Sequence, residues 1–127
     1  MAVELDASNS GSLRIRSSEL PPGGVRYFIN GTDNDSATAK IIAVAPGVGK
    51  KLVLTHLTLG TLAAQSISIF DGATTNLVGP IQLEAAGAIY SKDYEFGIEL
   101  TTNTEMYVDS DTDGLFHIYA EYMIIPG

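Results

Sequence analysis

The stretch Leu115-Phe116-His117-Ile118-Tyr119-Ala120-Glu121-Tyr122-Met123-Ile124-Ile125 decides how this chain is read. Phe116, Ile118, Ala120, Tyr122 and Ile124 fall on every second residue, with His117, Tyr119 and Glu121 between them. Side chains of an extended strand point alternately to opposite sides, so this spacing makes one apolar face and one polar face. A helix needs apolar residues three and four apart, and no segment sustains that pattern. The stretch is a strand.

Working back towards the N-terminus, similar segments recur between turn-forming residues. Val25–Ile29 is β-branched and aromatic, and Asn30-Gly31 with Asp33-Asn34-Asp35 closes it. Ala37–Ala45 ends at Pro46-Gly47-Val48-Gly49. Lys51–Leu59 sets Leu52 and Leu54 against Val53, Leu57 and Leu59, which predicts a central strand covered on both sides. Gln65–Phe70 alternates Ser66 and Ser68 with Ile67 and Ile69, and Asp71-Gly72 then makes a tight turn. Asn76–Leu83 holds Gly79-Pro80; proline donates no ladder hydrogen bond, so that strand lies at an edge or is bulged. Ile89–Tyr94, Ile98–Leu100 and Glu105–Val108 complete the set. The expectation is an all-β domain over residues 25–127: an antiparallel, jelly-roll-like β-sandwich of about eight strands. Residues 1–24 read as an extended N-terminal arm, rich in serine and ending in Pro21-Pro22-Gly23-Gly24. Within it, Leu13-Arg14-Ile15-Arg16 alternates apolar and basic residues, as a short strand would.

Composition narrows the function. The 127 residues suit one domain, and 45% hydrophobic content supplies a core without staples. With no cysteine, disulfides and thiolate metal sites are excluded. The formal charge of −8 sits entirely after Lys92, because the seven acids and seven bases up to that point cancel. A field of that sign repels phosphate backbones and argues against nucleic-acid binding. No apolar run reaches the ~20 residues of a membrane span. Acids near Met1 replace the basic and apolar stretches of a signal peptide, so cytoplasmic synthesis is expected.

Motifs that could carry chemistry fail on inspection. Asp109-Ser110-Asp111-Thr112-Asp113-Gly114 resembles the opening of a calcium loop, but Ala120 stands where the bidentate Glu belongs; the run reads first as a turn and second as a weak structural calcium site. Gly47-Val48-Gly49-Lys50-Lys51 lacks the earlier glycine and the following Ser or Thr of a phosphate loop, and reads as a turn. His56 and His117 have no second ligand at metal spacing and read as ordinary strand residues. Asn30-Gly31-Thr32 and Asn34-Asp35-Ser36 fit a glycosylation pattern but read as turns. There is no nucleophile elbow, and acid pairs such as Asp93 and Glu95 lack tryptophan platforms. No enzyme, cofactor or metal is expected. Tyr119, on one face with His117 and Glu121, is the aromatic most suited to a protein interface.

From about Lys50 onward the chain resembles head-decoration (cement) and accessory virion proteins of tailed bacteriophages. The resemblance is carried by Lys51-Leu52-Val53-Leu54-Thr55-His56-Leu57, Ile67-Ser68-Ile69-Phe70-Asp71-Gly72 and Gly79-Pro80-Ile81-Gln82-Leu83. Tyr94-Glu95-Phe96-Gly97-Ile98-Glu99-Leu100 and Glu121-Tyr122-Met123-Ile124-Ile125 complete it. It implies a homotrimer on the outer capsid surface of the virion, clamping neighbouring major capsid proteins without catalysis. The arm, with Arg14 and Arg16, is then the segment expected to touch a neighbour. The competing expectation is a carbohydrate-binding adhesin or tail-associated module, with calcium at Asp109–Asp113.

Overall fold

A computed structural model describes residues 25–127. Eight strands follow in order: β1 (Val25–Asp33), β2 (Lys40–Ala43), β3 (Lys50–Thr61), β4 (Gln65–Asp71), β5 (Thr75–Leu83), β6 (Ile89–Glu99), β7 (Met106–Ser110) and β8 (Phe116–Pro126). They form two antiparallel four-stranded sheets, ordered β1-β8-β3-β6 and β2-β7-β4-β5. The first strand pairs with the last, the second with the last but one, and so inward to β4 with β5. The chain is thus one long antiparallel ribbon that turns back after Asp71, rolled until β8 also meets β3 and β7 also meets β4. That is the jelly roll expected from the sequence. Leu13–Arg16, read as a possible short strand, lies outside the described residues.

The core lies between the sheets. Leu52, Leu54, Leu57, Leu59, Phe116, Ile118 and Ala120 from one sheet meet Ile42, Ala43, Ile67, Ile69, Met106 and Val108 from the other. β8 supplies the alternating apolar face that its sequence predicts.

β3 corrects the expectation for Lys51–Leu59. It is central, but Leu57 and Leu59 do not oppose Leu52 and Leu54; all four are fully buried in the same core. The ladder shows why. Leu54 pairs with Tyr122 and His56 with Glu121, so β3 advances two residues while β8 advances one. Thr55 is the extra residue of a β-bulge, and it shifts the alternation from even to odd positions. Val53, on the outer side, is covered near Met123 and Gly97.

Three other expectations change. β1 runs through Asn30-Gly31 to Asp33, because Asn30, Gly31 and Thr32 have ladder partners in Tyr119, Ile118 and His117. Pairing along a whole neighbouring strand outweighs the local turn preference. Ala37–Ala45 shortens to Lys40–Ala43, since the Ala37 amide donates to Asp35 Oδ1 (2.8 Å) and the Ser36 amide to Asp113 Oδ1 (2.8 Å). Ile89–Tyr94 and Ile98–Leu100 belong to one strand, β6, with a large outward bulge between them. β5 is both an edge strand and bulged, as Gly79-Pro80 requires: Gly79 has φ +115°, and a Cβ there would press on Ser68 and the Ile67 carbonyl.

Leu57→Ala should cost about 2–5 kcal/mol in urea unfolding, as truncations of wholly buried leucines do. Thr58→Ala, one residue on and outward-facing, should cost less than about 1 kcal/mol.

Candidate functional site

The outward face of the β1-β8-β3-β6 sheet carries most of the polar side chains that touch one another. Residues directly opposite across a ladder lie on the same side, so the register sets out this face in rows. One row reads Arg26, Met123, Val53, Glu99; the next Phe28, Glu121, His56, Asp93; then Asn30, Tyr119, Thr58, Ser91; then Thr32, His117, Gly60, Ile89.

These side chains bond along and across the rows. His56 Nδ1 lies 2.6 Å from Asp93 Oδ1, His56 Nε2 is 2.7 Å from Thr58 Oγ1, and Thr58 Oγ1 is 2.9 Å from Ser91 Oγ. The Tyr119 hydroxyl donates to Glu121 Oε2 (2.7 Å), and Arg26 Nη1 donates to Glu121 Oε1 (3.3 Å). The bond to Glu121 raises the Tyr119 phenol above its ordinary pKa, because a phenolate would lose its acceptor and face a carboxylate. The Tyr119 ring packs edge-on to His56 at 5.8 Å and tilted against Phe28 at 6.0 Å. His117 bonds to Asn30. Tyr119 therefore does share this face with His117 and Glu121, while the two histidines stand two rows apart.

The connectivity Asp93–His56–Thr58 matches an acid–base–hydroxyl relay, but its setting differs from that of a catalytic one. Thr58 is in the middle of β3, whose backbone is laddered to Tyr119 on one side and Ser91 on the other. An oxyanion needs unengaged backbone donors beside the nucleophile, and a doubly paired strand offers none there. The network holds these side chains in place across the sheet surface.

Beside the network, β6 leaves the ladder. Asp93 pairs with His56 and Ile98 with Leu54, so Tyr94–Gly97 have no ladder partner on β3; the Tyr94 side chain packs against the core, and the residues after it bulge outward. Gly97 has φ +73°, and a Cβ there would collide with Val53 Cγ1. Phe96, at the lip, is 91% exposed. Below it opens a groove of about 640 Å³ with Val53, Met123 and Ile125 among its walls and Asp93, Glu95, Glu99 and Arg26 around it. Reading the sequence missed this groove. The adjacent Phe96-Gly97 hinted at a turn, but its position over Val53 depends on which strand neighbours β6.

The acidic loop takes another form. Asp111 Oδ1 accepts from the Ser66 amide (2.7 Å), Asp113 Oδ1 from the Ser36 amide and hydroxyl (2.8 and 2.7 Å), and Asp109 Oδ1 from the Ser110 amide (2.9 Å). The carboxylates thus turn to three separate partners, and no cluster of three metal-ligating His, Asp or Glu side chains occurs among the described residues. Backbone donors hold the Asp111 and Asp113 carboxyls below their ordinary pKa.

No protein-family model matches the sequence, and no curated protein is significantly similar to it. Structural comparison does find a likeness. A chain of the cyanophage Pam1 capsid asymmetric unit superposes with a TM-score of 0.51 at 15% identity, over 92% of this chain and 97% of that one. The two share a fold. A chain of the virus-like particle of extra small virus, from the giant freshwater prawn Macrobrachium rosenbergii, aligns over 98% and 88% at 11% identity; its TM-score, 0.38, is below the range of a shared fold.

Gly97→Ala should lower stability by about 1–3 kcal/mol, from left-handed strain together with the push on Val53, measured by denaturant melts. For Asp111 the folded pKa lies below the unfolded one, so its contribution is present above the ordinary carboxylate range and lost as pH falls through the depressed value. Asp111→Ala should therefore melt lower than the wild type near neutrality, and the gap should narrow as the pH falls below the ordinary carboxylate range.

Proposed function

We propose that this chain is a non-enzymatic structural protein of a virion, decorating a bacteriophage head by binding the major capsid protein on its outer surface. The observation that carries this reading is the end-to-end match with a chain of a phage capsid asymmetric unit. The two chains are nearly equal in length, so the likeness covers the whole rolled body rather than one module of a larger shell protein. The resemblance in the sequence from Lys50 onward points the same way.

The physics of such a role suits this molecule. A cement protein needs a rigid body with several modest contact surfaces, because simultaneous weak contacts multiply into avidity. The locked network around His56, Tyr119 and Glu121 supplies a sheet face of fixed shape, with Phe28 exposed beside it. In this reading three copies assemble at three-fold or quasi-three-fold positions after synthesis in the host cytoplasm. The arm, residues 1–24, reaches the neighbouring capsid protein through Arg14 and Arg16, which lie outside the described residues.

Light scattering of the purified chain should give the mass of three copies; a strict monomer would count against the trimer. Heads assembled from the major capsid protein of the same virus should bind it saturably and melt at a higher temperature in its presence. Absence of binding would overturn the reading. Removing residues 1–20 should abolish binding while the β-sheet circular dichroism is retained.

A further inference from the structure

We propose that copies of this chain join head to tail, the loop before β3 of one copy seated on an apolar patch of Leu62, Ile89 and Leu115 at the far end of the next. This rests on the three-copy reading above and names the joint between the copies. The patch follows from the register. β8, β3 and β6 are neighbours, and their ends meet where Thr61 pairs with Phe116 and Gly60 with Ile89. The Leu62 amide carries the ladder on to the Leu115 carbonyl (3.0 Å). Thr61 and Phe116 are buried in the interior, so Leu62 and Leu115, one residue on, point outward on the side of Ile89. Leu62 is 65% exposed and Ile89 74%, and Leu115 is exposed beside them. Single exposed apolar residues are ordinary, but three on adjacent strand ends form a continuous surface of the kind that partners cover. The segments that make this end, 33–39, 61–65, 83–89 and 110–116, hold Asp33, Asp35, Glu84, Asp111 and Asp113 and no Lys or Arg. The patch therefore takes a partner that is apolar at its centre and cationic beside it.

The opposite end of the same body has that character. Val44, Val48 and Lys50 are exposed there, with Pro46 between the valines, and residues 44–51 contain no acid. Lys51 bonds to Glu99, which leaves Lys50 as the cation facing outward. The loop is fixed in shape: the Gly47 amide donates to Asn103 Oδ1 (2.9 Å) and the Lys50 amide to the Gly47 carbonyl (3.1 Å). Val48 stands at its tip, 91% exposed. From Lys50 to Thr61 β3 runs eleven residue steps, about 36 Å, so loop and patch cannot meet within one body. A second copy supplies both halves, and one repeated contact then covers both ends of every copy. Patch against patch would set five acids against five, and loop against loop would leave the leucines uncovered. A head-to-tail contact closes into a ring of three when each copy is turned by a third of a revolution from the last.

The chain has no cysteine, so introduced thiols report on the joint alone. Full-length protein carrying both Val48→Cys and Leu62→Cys, treated with a short bis-maleimide, should run on a denaturing gel as three linked chains. Either substitution alone should leave single chains, because head-to-tail packing brings no residue beside its own copy. Val48→Asp and Leu62→Lys, both at exposed positions, should each shift the light-scattering mass from three copies to one with circular dichroism unchanged. A three-copy mass that survives both substitutions, or linking as efficient with one thiol as with two, would overturn the head-to-tail joint and leave the trimer standing. A one-copy mass for the unmodified chain would overturn the trimer and this joint together.

Discussion

β3 has to face the core along its whole length while lying between β8 and β6, and strict alternation would turn Leu57 and Leu59 outward. Thr55 resolves this by adding one residue opposite Glu121, so that Leu52, Leu54, Leu57 and Leu59 all reach the core. Each wholly buried leucine contributes roughly 1.5–3 kcal/mol of transfer free energy. Exposing two of them would therefore remove several kcal/mol from a domain whose net stability is of the order of 10 kcal/mol. The other features of this sheet follow from that shift.

On the outward side, the same bulge decides which residues become neighbours. After Thr55 it is His56 and Thr58 that point away from the core, meeting Glu121 and Tyr119 on β8 and Asp93 and Ser91 on β6. Before it, Val53 points outward and would be an exposed apolar residue. The Tyr94–Gly97 bulge of β6 lies over that position, with Gly97 close enough that no side chain fits there. A single bulge that preserves the core thus also creates the polar network and calls for a second bulge, and the groove lies beneath it.

Surface ion pairs add little to such a frame. Lys51–Glu99 (2.5 Å) and Arg26–Glu121 (3.3 Å) are partly exposed, a setting in which a pair contributes about 0–1 kcal/mol. Their effect is on shape. Together with the bonds of His56, Tyr119 and Asn30 they hold long side chains in place on an open sheet. Such a face docks without much further loss of side-chain freedom.

The residues alone determined the all-β class, the number of strands to within one, the core face of β8, and the edge or bulged character of the Gly79-Pro80 strand. These follow from period-two patterning and from proline's missing donor, both local properties. Tertiary structure decided the rest. That Asn30-Gly31 continues a strand depends on β8 lying alongside; that Leu57 and Leu59 face the same core as Leu52 depends on one extra residue counted against a partner. The approach of His56 to Asp93 depends on strand order. Alternation shows that a strand has two faces, but only the neighbouring strand's hydrogen bonds decide where the count slips and which distant side chains share a row.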